Sequence, residues 1–394
     1  MSYKLGLLSE IPVVEHDNRF WTLDLWAKDL QAQVRAVDTL TLFSPISVEG
    51  SVGGDMLPVP ESVRLISLTR SLDAIAHAVS NVDLVQIPGN FTWRRSHRVR
   101  ALLRLARRAG KPVVLGISSD RATTMVVNAQ GENLFRRARA RAAALSITLS
   151  QKWLAARCDG TFVVGEGLRR IVKRDSSNVF VGTASWIRES DIRPAIAHRR
   201  DERVVRLCAA ARLEPMKGIA QALNALAMLA GDSPRIPMTL TIAGRGSEEA
   251  SLRALTAALE LQDRVKFAGT FAYPDPFFEF LQTQDLVVLT NLNDEQPRLV
   301  FDAISQGCLI ICPDSLPYRG LGVPEPLLYR RGDSAALADA IRRAIALIGD
   351  PALRIELEHM ARAATIETMH ERRREWLEAT VLDRPPLTDN ALTI

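Results

Sequence analysis

Residues 204–229, VVRLCAAARLEPMKGIAQALNALAML, join a short apolar run to a turn and then to a longer apolar pattern of helical spacing. A bounded apolar run of this length is typical of a buried parallel strand. From Ile219 to Leu229 the apolar residues recur at intervals of three and four, as on one face of a helix. The segment therefore predicts a strand–turn–helix unit, from which open parallel sheets are built.

The same alternation of short apolar runs and amphipathic patterns extends along the whole chain. In the first half it predicts strands at Lys4–Leu8, Thr39–Phe43, Val63–Leu68, Asp83–Ile87, Pro112–Ile117, Gly160–Val164 and Asn178–Val181. In the second half it predicts strands at Val204–Ala209, Met238–Ala243, Val265–Ala268, Asp285–Leu289, Leu309–Cys312 and Pro326–Tyr329. Representative helices are predicted at Ile219–Leu229, Glu248–Leu259 and Ser334–Leu347. The sequence thus predicts an α/β protein with two Rossmann-like, doubly wound parallel sheets that bind ligands at the carboxyl ends of their strands.

The length of 394 residues suits two domains of nearly equal size. The charged stretch RESDIRPAIAHRRDER, residues 188–203, interrupts the strand and helix series and is predicted as the interdomain linker. We accordingly expect a first domain at 1–186, a second at 187–367, and a helix end and tail at 368–394 that can return to the first domain. The helical pattern that begins at Asp350-Pro351 is expected to run to about Thr380.

Composition places the chain among ordinary globular proteins, with 47% hydrophobic and 24% charged residues. No apolar run approaches the roughly 18 residues of a spanning helix, and the start, MSYKLGLLSE, lacks the features of a signal peptide. Cys308 and Cys312 would share one face of a strand without reaching each other, and Cys158 and Cys208 lie far apart in the sequence. We therefore expect reduced thiols, no metal site and a cytoplasmic location.

The first half also carries an excess of arginine, and the segment Leu84–Ser119 contains no acidic residue. Within it, Arg94–Lys111 is densely basic, and its apolar positions share one helical face: Val99, Leu102, Leu103 and Ala106. A basic amphipathic helix of this kind can dock on an anionic membrane surface, here the inner face of the plasma membrane. The alternative is that the apolar face packs on the first sheet and leaves the arginines in solvent. Nucleic acid is not expected, because no recognition module accompanies the charge.

Two turns in the second half are candidates for binding an anion. Arg212 and Lys217 stand five residues apart between a strand and a helix, where they can converge on a diphosphate at the helix amino terminus. The alternative is a solvated loop with two surface cations. After the next strand, Gly244 and Gly246 permit a tight turn and a close approach of backbone to ligand.

A third motif, residues 293–307, NDEQPRLVFDAISQG, follows the strand that ends at Leu289. Pro297 can start a helix and Gly307 can end it. Asp302 would then lie in the second turn of the helix and Asp294 in the loop before it. An ordinary capped helix with acidic residues near its start is the alternative.

Together the three motifs resemble the donor-binding domain of glycosyltransferase family 4, whose members have the two-domain GT-B fold with a central cleft. The matching features are an Arg-x-x-x-x-Lys-Gly turn, a Gly-x-Gly turn after the next strand, and two carboxylates separated by seven residues. The resemblance covers roughly residues 203–348, and over residues 1–186 it is one of architecture alone. It implies a donor site made of Arg212, Lys217, Gly218, Gly244, Gly246, Gly269, Arg298, Leu299 and Asp302.

The resemblance also implies a role for these residues. The two cations would neutralise the diphosphate leaving group, Asp302 would hydrogen-bond the donor ribose, and the amides around Leu299 would touch the phosphates. The base would lie near Gly269–Phe271. Asp294 would contact the donor sugar near the reacting centre, and no metal ion or other cofactor would be required.

The sequence departs from the family pattern in three respects. Both family glutamates are aspartates, Glu295-Gln296-Pro297-Arg298 replaces the usual glycine-rich stretch, and Ser118 stands where a histidine is common. Glu295 is therefore an alternative to Asp294 as the catalytic acid. The implied function is retaining transfer from a nucleotide-diphosphate sugar to a glycan or lipid-linked acceptor in polysaccharide or glycolipid synthesis. The alternative is a non-catalytic GT-B relative that binds a nucleotide sugar or supports a partner enzyme.

These assignments predict that Arg212→Ala or Lys217→Ala weakens binding of a nucleoside diphosphate more than binding of the nucleoside. Loss of one charge-assisted contact typically costs about 1.5–3 kcal/mol, or roughly ten- to a hundredfold in affinity. Calorimetry with UDP and uridine provides the comparison. An equal loss for both ligands would contradict the diphosphate assignment.

Overall fold

The computed structural model describes residues 3–47, 56–172, 178–193, 204–231 and 237–385. In chain order the first domain contains β1 (Lys4–Leu8), β2 (Val13–His16), β3 (Arg19–Leu23), α1 (Asp24–Val34), β4 (Thr39–Ser44), β5 (Ile46–Ser47), β6 (Met56–Pro58), β7 (Val63–Ser67), α2 (Leu72–Ser80), β8 (Leu84–Pro88), α3 (His97–Arg108), β9 (Val113–Ile117), α4 (Arg121–Asn128), α5 (Leu134–Ala155), β10 (Gly160–Val164) and β11 (Val179–Gly182). The rest of the chain contains β12 (Val205–Ala210), α6 (Ala220–Gly231), β13 (Met238–Ala243), α7 (Glu249–Ala258), β14 (Val265–Gly269), α8 (Asp275–Gln282), β15 (Leu286–Val288), α9 (Leu299–Ser305), β16 (Leu309–Pro313), α10 (Leu316–Arg319), β17 (Leu328–Tyr329), α11 (Ser334–Leu347), α12 (Pro351–Arg362) and α13 (Ile366–Leu377).

Each domain is built on one parallel sheet. Over the described residues, the first sheet has seven strands in the order β11-β10-β9-β8-β1-β4-β7, and the second has six in the order β14-β13-β12-β15-β16-β17. Every ladder in these two sheets is parallel. The strand order reverses at β1 and at β12, which are the points where open sheets of this kind bind ligands. The predicted α/β class with two doubly wound sheets is confirmed, and each predicted strand is present with ends within two residues.

A small third sheet, in the order β5-β2-β3-β6, was not predicted. Within this sheet, β2 and β3 form an antiparallel hairpin. Its turn residues, Asp17 and Asn18, both adopt left-handed φ angles, 49° and 56°. Asp and Asn tolerate this conformation, and two consecutive residues with positive φ suit a two-residue hairpin turn. The Asp17-Asn18 pair is therefore the sequence signal for this hairpin.

The C-terminal helical region is interrupted and returns to the first domain. The expected single pattern from Pro351 divides at residues 363–365, where Thr365 caps α13 by accepting the amide of Thr368 at 3.3 Å. Beyond this cap, Leu377 and Val381 are buried in the first domain's core, on the face of the sheet that also buries Leu5. The chain thus passes between the domains twice.

Helix α3 does not present an apolar face to solvent. Its four apolar residues on one face lie in the first domain's core: Val99, Leu102, Leu103 and Ala106. Arg107 is buried as well and forms an ion pair with Asp159 at 2.8 Å. The packing alternative is therefore confirmed, and the expectation that this apolar face meets a membrane is wrong. The arginines at 94, 95, 98 and 104 remain exposed.

The four cysteines are free and buried, as predicted. Within the described ranges, no helix is long and apolar enough to cross a membrane. In the same part of the chain, no group of three or more His, Cys, Asp or Glu side chains is arranged to hold a metal ion.

Candidate functional site

A cavity of about 420 Å³ opens at the carboxyl ends of β12, β13, β14 and β15. Its walls come from the segments that follow these strands, where a doubly wound sheet binds its ligand. The predicted donor-site residues that line it are Arg212, Lys217, Gly244, Gly269, Arg298, Leu299 and Asp302. The donor roles given to these residues remain predictions, but the fold brings them to one cavity.

The two cations of the first turn differ in their surroundings. Pro215–Lys217 form one turn of 3-10 helix, which Gly218 ends with a left-handed φ of 63°. The Lys217 side chain is only 14% exposed, and burial lowers the pKa of its amine. Arg212 is 71% exposed and pairs with Glu214 at 2.8 Å. Lys217 is therefore the buried cation of the cavity, whereas Arg212 is exposed and paired with Glu214.

Gly244 and Gly246 have a structural reason to be glycine. A Cβ atom on Gly244 would collide with the carbonyl oxygen of Ala211, and one on Gly246 would collide with that of Leu213. The turns after β12 and β13 are thus packed backbone against backbone, and the amide of Leu213 donates to the carbonyl of Arg245 at 2.9 Å. Gly246 supports this crossing and lies outside the cavity lining.

Asp302 is a buried acid with two side-chain partners. Its carboxylate accepts hydrogen bonds from the Tyr273 hydroxyl at 3.3 Å and from Nε of Arg298 at 3.4 Å. Burial, the largest cause, raises the pKa of Asp302 to about 6 in spite of the Arg298 charge. The Arg298 guanidinium lies over the rings of Trp186 and Tyr273, 4.1 and 4.9 Å from their centroids. Because α9 begins at Leu299, Asp302 lies in its first turn and not in the second as expected.

The two candidate catalytic acids lie in different surroundings. Asp294 binds Arg331 at 2.8 Å and also binds Arg170 of the first domain. Glu295 has one carboxylate oxygen 3.9 Å from Nζ of Lys217, and its other oxygen accepts the amide of Asp120 at 3.1 Å. Neither acid lines the cavity, and both lie in the loop that leads into it. The structure thus brings Glu295, and not Asp294, to the buried cation.

Sequence reasoning missed several residues at this site. Trp186 and Tyr273 hold Arg298, while Asp120, Arg170 and Arg331 surround the acid loop. No local motif marks any of them, because each comes from a different segment of the chain. The one available signal was the place of Asp120 directly after a predicted strand of the first sheet, where its side chain caps α4.

The pKa of Asp302 predicts how nucleotide binding depends on pH. Because this pKa is raised to about 6, the side chain is a carboxylate above pH 6 and loses its charge below it. If Asp302 accepts a ribose hydroxyl, wild-type affinity for UDP should fall roughly three- to tenfold as pH drops from 7.5 to 5. Asp302→Asn should bind more weakly at pH 7.5 and show a smaller pH dependence. Calorimetry measures the UDP affinity of both proteins across this pH range, and the comparison removes the contribution of UDP's own titration because it is the same for both. An equal change of affinity with pH in the two proteins would contradict the ribose role of Asp302.

Comparisons with known proteins agree with this fold and this cavity. Residues 191–364 match the family model described as Glycosyl transferases group 1. HepE from Anabaena, solved with UDP, is 16% identical and has a TM-score of 0.63, with 96% of this chain and 100% of that chain covered. Sucrose-phosphate synthase from Thermosynechococcus elongatus is also 16% identical, with a TM-score of 0.67 and coverages of 95% and 98%.

The lipopolysaccharide outer core galactosyltransferase WaaB is 12% identical, with a TM-score of 0.62 and coverages of 95% and 99%. No curated protein matches the sequence significantly. At these identities the structural likeness establishes the fold alone, and the family model matches the second domain with its cavity. The chain therefore has the GT-B fold, and its second domain is similar to the glycosyl transferases group 1 family over residues 191–364.

Proposed function

We propose that this protein transfers a sugar from a nucleotide-diphosphate sugar to a hydroxyl group of a glycan or lipid-linked acceptor, with retention at the anomeric carbon. The observation that carries the proposal is the meeting of Lys217 and Glu295 beside the cavity. A buried cation there suits a diphosphate, and an acid 3.9 Å away suits the adjoining sugar. The structures of HepE in complex with UDP and with UDP-glucose support a nucleotide-sugar donor.

The proposed reaction depends on neutralising the leaving group. With the diphosphate at Lys217 and Arg212, the bond between the anomeric carbon and the β-phosphate oxygen breaks, and its electron pair stays on the phosphate. The acceptor oxygen then bonds to the anomeric carbon from the same face, and its proton passes to the departing phosphate oxygen. Preorganised charges at such a centre commonly contribute several kcal/mol. The two cations carry the phosphate charge in this scheme, so it requires no metal ion.

Glu295 is the better candidate for stabilising the positive charge that develops on the sugar. Its carboxylate has one oxygen near Lys217 and the other on the amide of Asp120. Both oxygens of Asp294 are engaged by arginines, so its charge is already neutralised. We therefore assign charge stabilisation to Glu295 and the orientation of the loop to Asp294.

Steady-state kinetics can separate the two acids. Glu295→Gln should lower kcat by roughly a hundredfold with little change in donor KM, because it removes charge that acts in the transition state. Asp294→Asn should have a smaller effect, since it preserves the shape of the side chain. The assay is release of nucleoside diphosphate from a panel of UDP-, ADP- and GDP-sugars, with and without acceptors. A larger loss in Asp294→Asn would restore that residue as the acid.

The wild-type protein distinguishes the proposal from its alternative. Tight binding of a nucleotide sugar without turnover on any donor or acceptor would identify a non-catalytic GT-B relative.

Polysaccharide or glycolipid synthesis is part of the proposal, supported by the similarity to WaaB, a lipopolysaccharide galactosyltransferase. We also propose a cytoplasmic location, supported by the four free cysteines.

We further propose that the first domain docks on an anionic membrane, through α5 and not through the apolar face of α3. Leu134 and Phe135 at the start of α5 are 80% and 77% exposed, and Leu145 and Leu149 follow on the same helix. Trp93 adjoins them, since its backbone amide donates to the Ser146 hydroxyl at 3.0 Å. The exposed arginines on these segments are Arg94, Arg95, Arg98, Arg136, Arg139 and Arg141. Apolar side chains among basic ones suit a surface of anionic lipid.

Liposome sedimentation tests this docking. Binding should require anionic lipid, weaken with salt, and fall at least tenfold in Leu134→Ser/Phe135→Ser, because two large apolar side chains leave the interface. Leu72→Ser is the matched control, since Leu72 is 67% exposed on α2 and should leave binding unchanged. Equal binding to neutral and anionic vesicles, or an equal effect of the control, would contradict the proposal.

A further inference from the structure

The acid loop, residues 293–296, belongs to the second domain but is held at both ends by the first. The side-chain amide of Asn293 donates to the Thr124 hydroxyl at 3.2 Å. At the other end, the side-chain oxygen of Gln296 accepts the backbone amide of Ala184 at 2.7 Å. Asn293 and Gln296 are both buried. Both ends of the loop are therefore held by contacts that exist only while the two domains are together, in addition to the contacts with Met216 and Arg331 of its own domain.

The middle of the acid loop is held by charge. Arg170, on the turn after β10, donates Nη2 to Asp120 at 2.6 Å and Nη1 to Asp294. Asp294 binds Arg331 of its own domain through its other oxygen at 2.8 Å. Carboxylates and guanidinium groups thus alternate in a row across the interface. Each domain contributes one internally paired acid and base, and the Arg170–Asp294 contact joins the two pairs.

The backbone of the first domain approaches the acid loop too closely for a side chain. A Cβ atom on Gly167 would collide with the carbonyl oxygen of Asp294, and one on Gly165 would lie 2.7 Å from Cβ of Gln296. Gly167 lies in the same turn as Arg170. The turn that carries Arg170 therefore also carries the glycine, Gly167, that allows the two backbones to come into contact.

The nucleotide cavity differs from the acid loop in this respect. Its lining residues, from Ala209 to Asp302, all belong to the second domain. Although Lys28 of the first domain contacts Tyr273 of the lining, no first-domain residue lines the cavity itself, so we expect nucleotide affinity to depend less on the interdomain contact than the acid loop does. The position of Glu295, which accepts the amide of Asp120, should depend on that contact.

We infer that Arg170 is a positioning residue: by joining Asp294 to Asp120 across the interface, it sets the acid loop so that Glu295 faces Lys217. The nucleotide site is complete in one domain, and the site for chemistry is completed by an arginine from the other. Lysine cannot replace Arg170 fully, because a single ammonium group lacks the planar fork that reaches two carboxylates. The kinetic consequence rests on the proposed transferase function, whereas the structural consequence does not.

The experiment compares two disruptive variants with two matched controls in the full-length chain. Arg170→Gln removes the charge and the fork, and Gly167→Ala adds the colliding Cβ. Arg169→Gln alters the neighbouring arginine, which pairs with Glu166 at the surface, and Gly131→Ala adds a Cβ where no atom lies within 4 Å. Each protein is measured by small-angle X-ray scattering, by calorimetry with UDP, and by kcat on the best nucleotide sugar.

We expect Arg170→Gln and Gly167→Ala to enlarge the radius of gyration and to lower kcat about tenfold or more, with the UDP affinity within about twofold of wild type. Arg170→Lys should lie between Arg170→Gln and wild type, and both controls should match wild type. A wild-type radius and kcat in Arg170→Gln would overturn the inference, as would a loss of UDP affinity with unchanged kcat. If the wild-type protein turns over no nucleotide sugar, the proposed function fails, and the radii of gyration of the six proteins still decide the role of Arg170.

Discussion

The structure of the cleft depends on Lys217, whose charged amine is largely buried and must be compensated by nearby negative charge. Burial disfavours the charged form of Lys217, and its nearest carboxylate, at 3.9 Å, is beyond hydrogen-bonding distance. Its surroundings therefore favour an additional anion within reach, which a bound diphosphate would supply. Glu295 partly compensates the charge until then, and it holds that place through the amide of Asp120. The charge of Lys217 thus connects three parts of the structure: the donor cavity that it lines, the acid loop that carries Glu295, and the first domain that holds Glu295 through Asp120.

The end of the first domain also contacts the donor cavity, whereas residues 194–203 of the predicted interdomain linker lie outside the described part of the chain. Trp186, just before the charged stretch, lies against the Arg298 guanidinium, which in turn contacts Asp302. Arg298 therefore connects the buried carboxylate of Asp302 to Trp186 at the end of the first domain. Tyr273 completes this group by stacking with Arg298 and donating to Asp302, so Trp186, the segment after β14 and α9 meet in one cluster.

The sequence was informative where structure is set by local pattern. Strand–helix alternation located both sheets, because a buried parallel strand and its covering helix have distinct apolar periods. The turn motifs predicted which residues gather at the cavity, because the carboxyl ends of neighbouring strands meet at one edge. The sequence could raise but not decide what depends on packing between distant segments, namely whether the α3 face is buried and whether α13 returns to the first domain, and it gave no sign of the surroundings of Asp294. Spacing placed Asp294 in the right loop, but only the arginines at 170 and 331 decide what its carboxylate can do.

The return of the last helix has a consequence for how this chain is made. Leu377 and Val381 complete a core that begins with β1, so the first domain to leave the ribosome lacks part of its interior until the second has been synthesised. The chain between β11 and Leu377 takes roughly 10–40 s to make at typical elongation rates of about 5–20 residues per second. During that interval the apolar surface destined for α13 stays open. Nascent chains of this protein should therefore depend on chaperones until the C terminus is released, even though each sheet is built from contacts local to its own half.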